Sequence, residues 1–166
     1  MIEVREANLF SDTDADAIVD VLDAYARDPM ISGDALPENV KVELVDRMCR
    51  LAQCQVFLAQ CDERIIGVAI CFVGFSTFKA REVVNIHDLA VLPEFRNRGV
   101  GSALLNAVED FSRSINACKI TLEVRETNLG AERLYQRKGF RNPNGDGERS
   151  VFLERHLAEV QSYISE

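Results

Sequence analysis

Seven consecutive residues, Arg96-Asn97-Arg98-Gly99-Val100-Gly101-Ser102, combine the types that can hold a phosphate. They follow an apolar run, Val83 to Leu92, that reads as a strand. They open an amphipathic helix reaching about Ile115, with Leu104, Val108, Phe111 and Ile115 at helical spacing. Two glycines at such a junction allow a tight turn and leave backbone N–H groups uncovered. The helix start adds unpaired amide donors and the positive end of its dipole, an arrangement that binds anions. Arg96 and Arg98 add full charges. A dinucleotide fingerprint would place a third glycine where Leu104 stands. A nucleotide P-loop would follow Gly101 with Lys and Ser or Thr, where the chain has Ser102-Ala103.

The elements that must position this loop are legible around it. Ile2 and Val4 alternate with Glu3 and Arg5 as a first strand. Ser11 to Asp16 supplies capping and acidic first-turn residues. Ile18, Val21, Leu22 and Tyr25 then share one helical face, which Asp28-Pro29 ends. Pro37 opens a second helix with the stripe Val40, Leu44, Met48 and Leu51. Gln55–Gln60 and Ile65–Phe75 form a hairpin through Cys61-Asp62-Glu63-Arg64, with a loop from Ser76 to Glu82. Beyond the central helix, Lys119 to Arg125 alternates as a strand. Asn128 caps a helix with inner residues Ala131, Leu134 and Tyr135, and Gly139 suits its left-handed end. Phe140–Asn142 is expected to begin a strand, Ser150 to His156 to form the last one, and Ala158–Glu166 a short helix or frayed tail. An antiparallel hairpin followed by strand–helix–strand units implies a mixed sheet with helices on both faces.

Residues 1–166 are expected to form a single domain with a real core. The net charge of -8 argues against a general nucleic-acid binder. No apolar run approaches the roughly 20 residues of a membrane span, and Met1 to Arg5 lacks a signal-peptide layout. The 5 cysteines form no Cys-x-x-Cys pair and read as reduced thiols of a cytoplasmic protein. With His87 and His156 as the only histidines, no metal site is expected.

Arg96-x-x-Gly99-x-Gly101, together with Asn128-x-x-Ala131-x-x-Leu134-Tyr135 and Gly139-Phe140, resembles the paired motifs of the GCN5-related N-acetyltransferase (GNAT) superfamily. The resemblance covers roughly residues 83–141, and the leading order of elements fits it as well. It implies an α/β (α+β) fold whose mixed, mostly antiparallel sheet is flanked by helices on both faces. It also implies a cleft for acetyl-CoA where the parallel strands 83–92 and 119–125 splay apart. Backbone groups of Leu89, Ala90 and Val91 would pair with pantetheine like an added strand. The pyrophosphate would rest on the loop Arg96, Asn97, Arg98, Gly99, Val100, Gly101 and Ser102, with Asn128 beside the pantetheine arm and Tyr135 near the sulfur. No metal is implied.

The chemistry such a site must do sets what its side chains must be. A primary amine is mostly protonated at neutral pH and must lose a proton to attack a thioester; the leaving thiolate must gain one. A thiol like that of cysteine has a pKa around 8.5, so a neutral phenol beside the sulfur, the role the resemblance gives Tyr135, can protonate it. For the base, His87 and Asp88 are candidates, with Glu123 on the next strand a third. Asn85, His87 and Leu89 alternate with Ile86, Asp88 and Ala90, which predicts opposite faces for His87 and Asp88.

Phe75-Ser76-Thr77-Phe78-Lys79-Ala80-Arg81 and Ile86-His87-Asp88-Leu89-Ala90-Val91 resemble diamine and polyamine acetyltransferases, which usually carry Trp where Phe78 stands and Glu where His87 stands. The acceptor implied is a primary amine of a small molecule, and similar enzymes imply a homodimer. Two other readings share the same glycines: an acyl-CoA-binding sensor without turnover, and a nucleotide-binding domain. Retained Tyr135 opposes the first, the missing glycine and lysine the second.

Overall fold

The computed structural model describes residues 1–143 and residue 155. Five strands line up in chain order: β1 (Ile2–Glu6), β2 (Cys54–Cys61), β3 (Arg64–Ser76), β4 (Arg81–Val91) and β5 (Lys119–Leu122). Neighbours pair antiparallel except β4 with β5, which run parallel. A parallel pair needs a crossover, supplied by α3 (Val100–Ser114). The remaining helices are α1 (Asp12–Ala26), α2 (Glu38–Met48) and α4 (Leu129–Arg137). The mixed, mostly antiparallel sheet is thus the expected one, and none of the helices among the described residues is long and apolar enough to cross a membrane.

Alternation along the strands builds two cores. On one face Ile18, Val21 and Leu22 of α1 and Val45 and Met48 of α2 pack on Val56, Leu58, Val68 and Ile70. On the other, Val100, Leu104, Leu105 and Val108 of α3 pack on Phe57, Ala59, Ile66, Ala69 and Cys71. Leu51 falls outside the stripe expected of it, since α2 ends at Met48 and Leu51 is 46% exposed. The hairpin turn is the two residues Asp62 and Glu63, both at positive φ (48° and 69°), as its two-residue geometry demands.

α1 is anchored at its first turn without help from Ser11, which makes no side-chain cap. Asp14, 4% exposed, instead accepts two bonds from Arg5, at 2.6 and 2.7 Å, and one from the Asn8 amide at 2.8 Å. These bonds hold its carboxyl below the usual carboxylate range, Arg5 contributing most.

Three expectations change near the sheet's open side. β5 stops at Leu122, short of Arg125, and residues 140–142 form no strand. The loop expected from Ser76 to Glu82 shrinks to Thr77–Ala80, because β3 and β4 pair out to Ser76 and Arg81. The strand and tail expected from Ser150 onward lie outside the described residues, Arg155 apart.

Candidate active site

β4 and β5 pair over four rungs, from Val83 with Lys119 to Ile86 with Leu122. The base of this pairing is fastened from several sides. Arg81 donates to Asn116 Oδ1 at 2.7 Å and to its carbonyl at 2.9 Å, and Asn85 Nδ2 donates to Thr121 Oγ1 at 3.1 Å. Above Ile86, β4 continues through His87–Val91 while β5 has ended. Among the described residues this upper half of β4 has no strand on that side. β4 thus runs on past the end of β5 on the side where the cleft was expected.

His87 is the extra residue of a β-bulge: Ile70 pairs with Asp88 and Cys71 with Ile86. Its ring stands edge-on to Phe72 with centroids 5.5 Å apart. Phe72 and Ile70 both belong to the layer under α1 and α2. His87 and Asp88 consequently share that face, against the opposite faces predicted by simple alternation. The bulge shifts the phase by one residue. Val84 and Ile86 pack toward α3 below it, and so do Leu89 and Val91 above it, while Ala90 turns toward α1.

Asp88 is only partly exposed, and among the described residues its carboxylate takes no hydrogen bond. Burial raises its pKa, with His87 opposing weakly. A carboxylate so placed is a stronger base than one in water. His87 itself is exposed. Tyr25 of α1 feels the charge of Asp88: its pKa rises through burial and then through that negative charge. Tyr135 stands in the last turn of α4, its ring against Phe140 at 5.8 Å. Burial, reinforced by Tyr25, pushes its phenol up to about 12, so it stays protonated at neutral pH. Burial thus raises both a candidate base and a candidate acid. Glu123 lies just past the end of β5.

The glycine loop has the geometry that its composition suggests. Pro93–Phe95 is a single 3-10 turn, Asn97 adopts φ 59° and Gly99, the N-cap of α3, φ 88°. A side chain at Gly99 would strain that left-handed backbone. The first intrahelical bond runs from the Ala103 amide to the Gly99 carbonyl at 3.0 Å. The amides of Val100, Gly101 and Ser102 precede it, and no side chain caps them and no acidic residue sits in the first turn. Gly101 serves a second need: a Cβ there would stand 3.0 Å from Leu134 Cδ2, so its bareness lets α4 approach α3. Asn128 caps α4 as predicted, Oδ1 accepting from Ala131 N at 3.1 Å, and Gly139 follows at φ 87°.

The two arginines of the loop have partners within the protein. Arg98 lies over the Phe95 ring, 5.5 Å from its centroid. Arg96 Nη1 donates to Asp28 Oδ2 at 2.6 Å and Nε to the Val91 carbonyl at 3.2 Å. From the other limb, Arg125 Nη1 donates to the carbonyls of Met30 and Ile31 at 2.8 and 2.9 Å. Asp28–Ile31 thus touches both limbs of the opened strands. Sequence reasoning read Tyr25 as part of a packed helix face and Asp28 as a helix stop. Local pattern held no signal for their place here, since the contacts join residues 68 to 95 positions apart. A separate concavity lined by Leu105, Glu109, Ser112, Arg113, Lys119 and Phe140 gathers none of these groups. Among the described residues no cluster of His, Cys, Asp or Glu is arranged for a metal ion.

With this geometry in view, comparison with known proteins is decisive. The sequence pattern described as Acetyltransferase (GNAT) family matches residues 19–140. The chain belongs to the GNAT acetyltransferase family. It is 34% identical over 93 residues to an uncharacterized N-acetyltransferase of Archaeoglobus fulgidus, covering 55% of this chain and 63% of that one. The chain thus spans less than two thirds of that relative's length. It is 30% identical over 145 residues to an N-alpha-acetyltransferase of Sulfurisphaera tokodaii, covering 83% and 79% of the two chains. Its fold is similar to that of AAC(6')-Iy, solved in complex with the bisubstrate analogue CoA-S-monomethyl-acetylneamine. The TM-score is 0.73 at 19% identity, over 95% of this chain and 99% of that one. Both of these relatives carry N-acetyltransferase names, and the family description is that of acetyltransferases.

Proposed function

We propose that this GNAT acetyltransferase transfers an acetyl group directly to a primary amine within a ternary complex, Asp88 acting as base and Tyr135 as acid. The single observation that carries the reading is a partly buried carboxylate that takes no hydrogen bond among the described residues, in a chain that also holds a protonated phenol and an uncapped helix start. Residues fit the donor in kind. The unpaired amides at the start of α3, with those of Arg98 and Gly99, suit a pyrophosphate, and the edge of β4 at Leu89, Ala90 and Val91, which no strand covers among the described residues, suits an amide-bearing arm, the Val91 carbonyl being held by Arg96. Asn128 and Tyr135 border that arm.

Acetyl-CoA supplies the activated acyl group. Asp88 accepts a proton from the ammonium form of the amine, directly or through water, leaving a nitrogen lone pair. As the N–C bond forms and the C–S bond breaks, Tyr135 gives its proton to sulfur, the nitrogen sheds its second proton to water, and the Tyr135 phenolate recovers one from solvent. His87, exposed beside Asp88, faces the amine's approach and is the second candidate base.

The acceptor we favour from the chain's own motifs is a small, diamine-like molecule. A second reading, the α-amine of a peptide, is supported by the S. tokodaii relative, over 79% of whose length the match extends. One experiment decides. The protein is incubated with acetyl-CoA and a mixture of diamines, polyamines and peptides, followed by mass spectrometry of the products. Acetylated amine is the expected result. Acetyl-CoA binding with no thiol release across the panel would make the chain a sensor instead.

A further inference from the structure

The loop arginine that the motif would aim at phosphate is bonded elsewhere, and its partner explains more than its charge does. Asp28 is the hub of a tight segment after α1. Its Oδ1 accepts from the Met30 amide at 2.9 Å, and its carbonyl accepts from Ile31 at 2.8 Å and Gly33 at 3.1 Å. Its other oxygen takes Arg96. Its carboxyl is held below the ordinary range by the Met30 amide first and Arg96 next. Tyr25, which feels the charge of Asp88, ends the same helix and accepts the Asp28 amide on its carbonyl at 3.1 Å. Arg125 completes the fastening from the β5 side.

From this geometry we infer that Arg96 is a positioning residue, not a phosphate ligand: it ties the glycine loop to the strap Asp28–Ile31. The strap takes bonds from two sides, from Arg96 after β4 and from Arg125 after β5, and it follows three residues after Tyr25 at the end of α1. This inference rests on the acetyl-transfer reading for the meaning of the loop but not for the bond itself. Three observations agree. The Arg96 side chain is engaged through both Nη1 and Nε. Asp28 is mostly sheltered, its side chain 17% exposed. The amides at the start of α3 remain for an anion without help from Arg96. The loop that receives the donor and the wall that faces the amine are then one connected body.

The test uses the whole chain. Native-state hydrogen exchange is followed at residues 28–33, acetyl-CoA affinity by calorimetry and overall stability by denaturant unfolding, in wild type, Arg96→Gln, Arg96→Lys, Asp28→Asn and the Arg96→Gln/Asp28→Asn double variant. Exchange at residues 28–33 is expected to speed up by about fivefold in Arg96→Gln and in Asp28→Asn, as for loss of a partly exposed ion pair. The double variant adds little more, and Arg96→Lys restores most of the protection. Acetyl-CoA affinity should stay within about threefold of wild type throughout, below the roughly tenfold expected for losing a charge-assisted phosphate bond. Arg96→Gln that weakened acetyl-CoA tenfold with exchange unchanged would overturn the inference, and so would additive effects of the two substitutions. Wild type that bound no acetyl-CoA would undo the acetyl-transfer reading alone, because the exchange comparison would still decide the strut.

Discussion

The two halves of β4 have the same kind of sequence and opposite fates. Below the bulge, Val83–Ile86 is paired on both edges, to β3 and to β5, and fastened by Asn85 on Thr121. Above it, Leu89–Val91 pairs among the described residues with β3 only, and Asp88 and His87 stand on one face, with Tyr25 of α1 feeling the charge of Asp88. Burial works on both halves, but in the lower half it is matched by apolar neighbours. In the upper half it falls on a carboxylate that takes no hydrogen bond among the described residues, and raises its pKa. The lesson is that one strand serves as scaffold where its edges are satisfied and as a site where one edge is left free.

That contrast can be broken by substitutions whose effects should separate cleanly. The largest belongs to the open half. Tyr135→Phe should lower turnover by roughly 10²-fold or more, the worth of a general acid, with acetyl-CoA affinity near wild type by calorimetry. Unchanged turnover would remove Tyr135 from the chemistry.

Asp88→Asn should follow at about 10²-fold, and it also sharpens the comparison through pH. A protonated carboxyl cannot accept the amine's proton, so kcat/KM should decline as pH falls through the Asp88 pKa. Burial places that limb above the ordinary carboxylate range. In Asp88→Asn this limb should vanish, and a pH–rate profile retaining it would shift the base to His87 or Glu123.

The smallest effect belongs to the closed half. Asn85→Ala removes the bond to Thr121 and should cost about 1 kcal/mol of stability, read by denaturant unfolding, with turnover close to wild type. A loss of turnover out of proportion to stability would mean that the closed rungs set the opening of the strands above them.

Much of this site is legible in the sequence. The glycine loop, the start of α3, the Asn128 cap and the two long hairpin strands are each specified by neighbours within a few residues. Left-handed turns, capping amides and alternating burial are short-range demands. The motifs also carried the family, which the match over residues 19–140 bears out. The phase of β4 was not legible, because a bulge depends on how β3 lies against it and leaves no mark in the alternation. Nor was the early end of β5, whose following residues turn away as Arg125 reaches Met30 and Ile31.

The sequence by itself therefore determined the pieces: which segments turn, which start helices, which bury one face, and which loop suits an anion. Tertiary structure alone decided the arrangement that does chemistry. It put His87 and Asp88 on one face, brought Tyr25 under the charge of Asp88, and turned Arg96 onto Asp28 across 68 residues of chain. The physical reason is range. Backbone conformation answers to adjacent residues, whereas a pKa, an ion pair and a free strand edge answer to whatever the fold brings within a few ångströms.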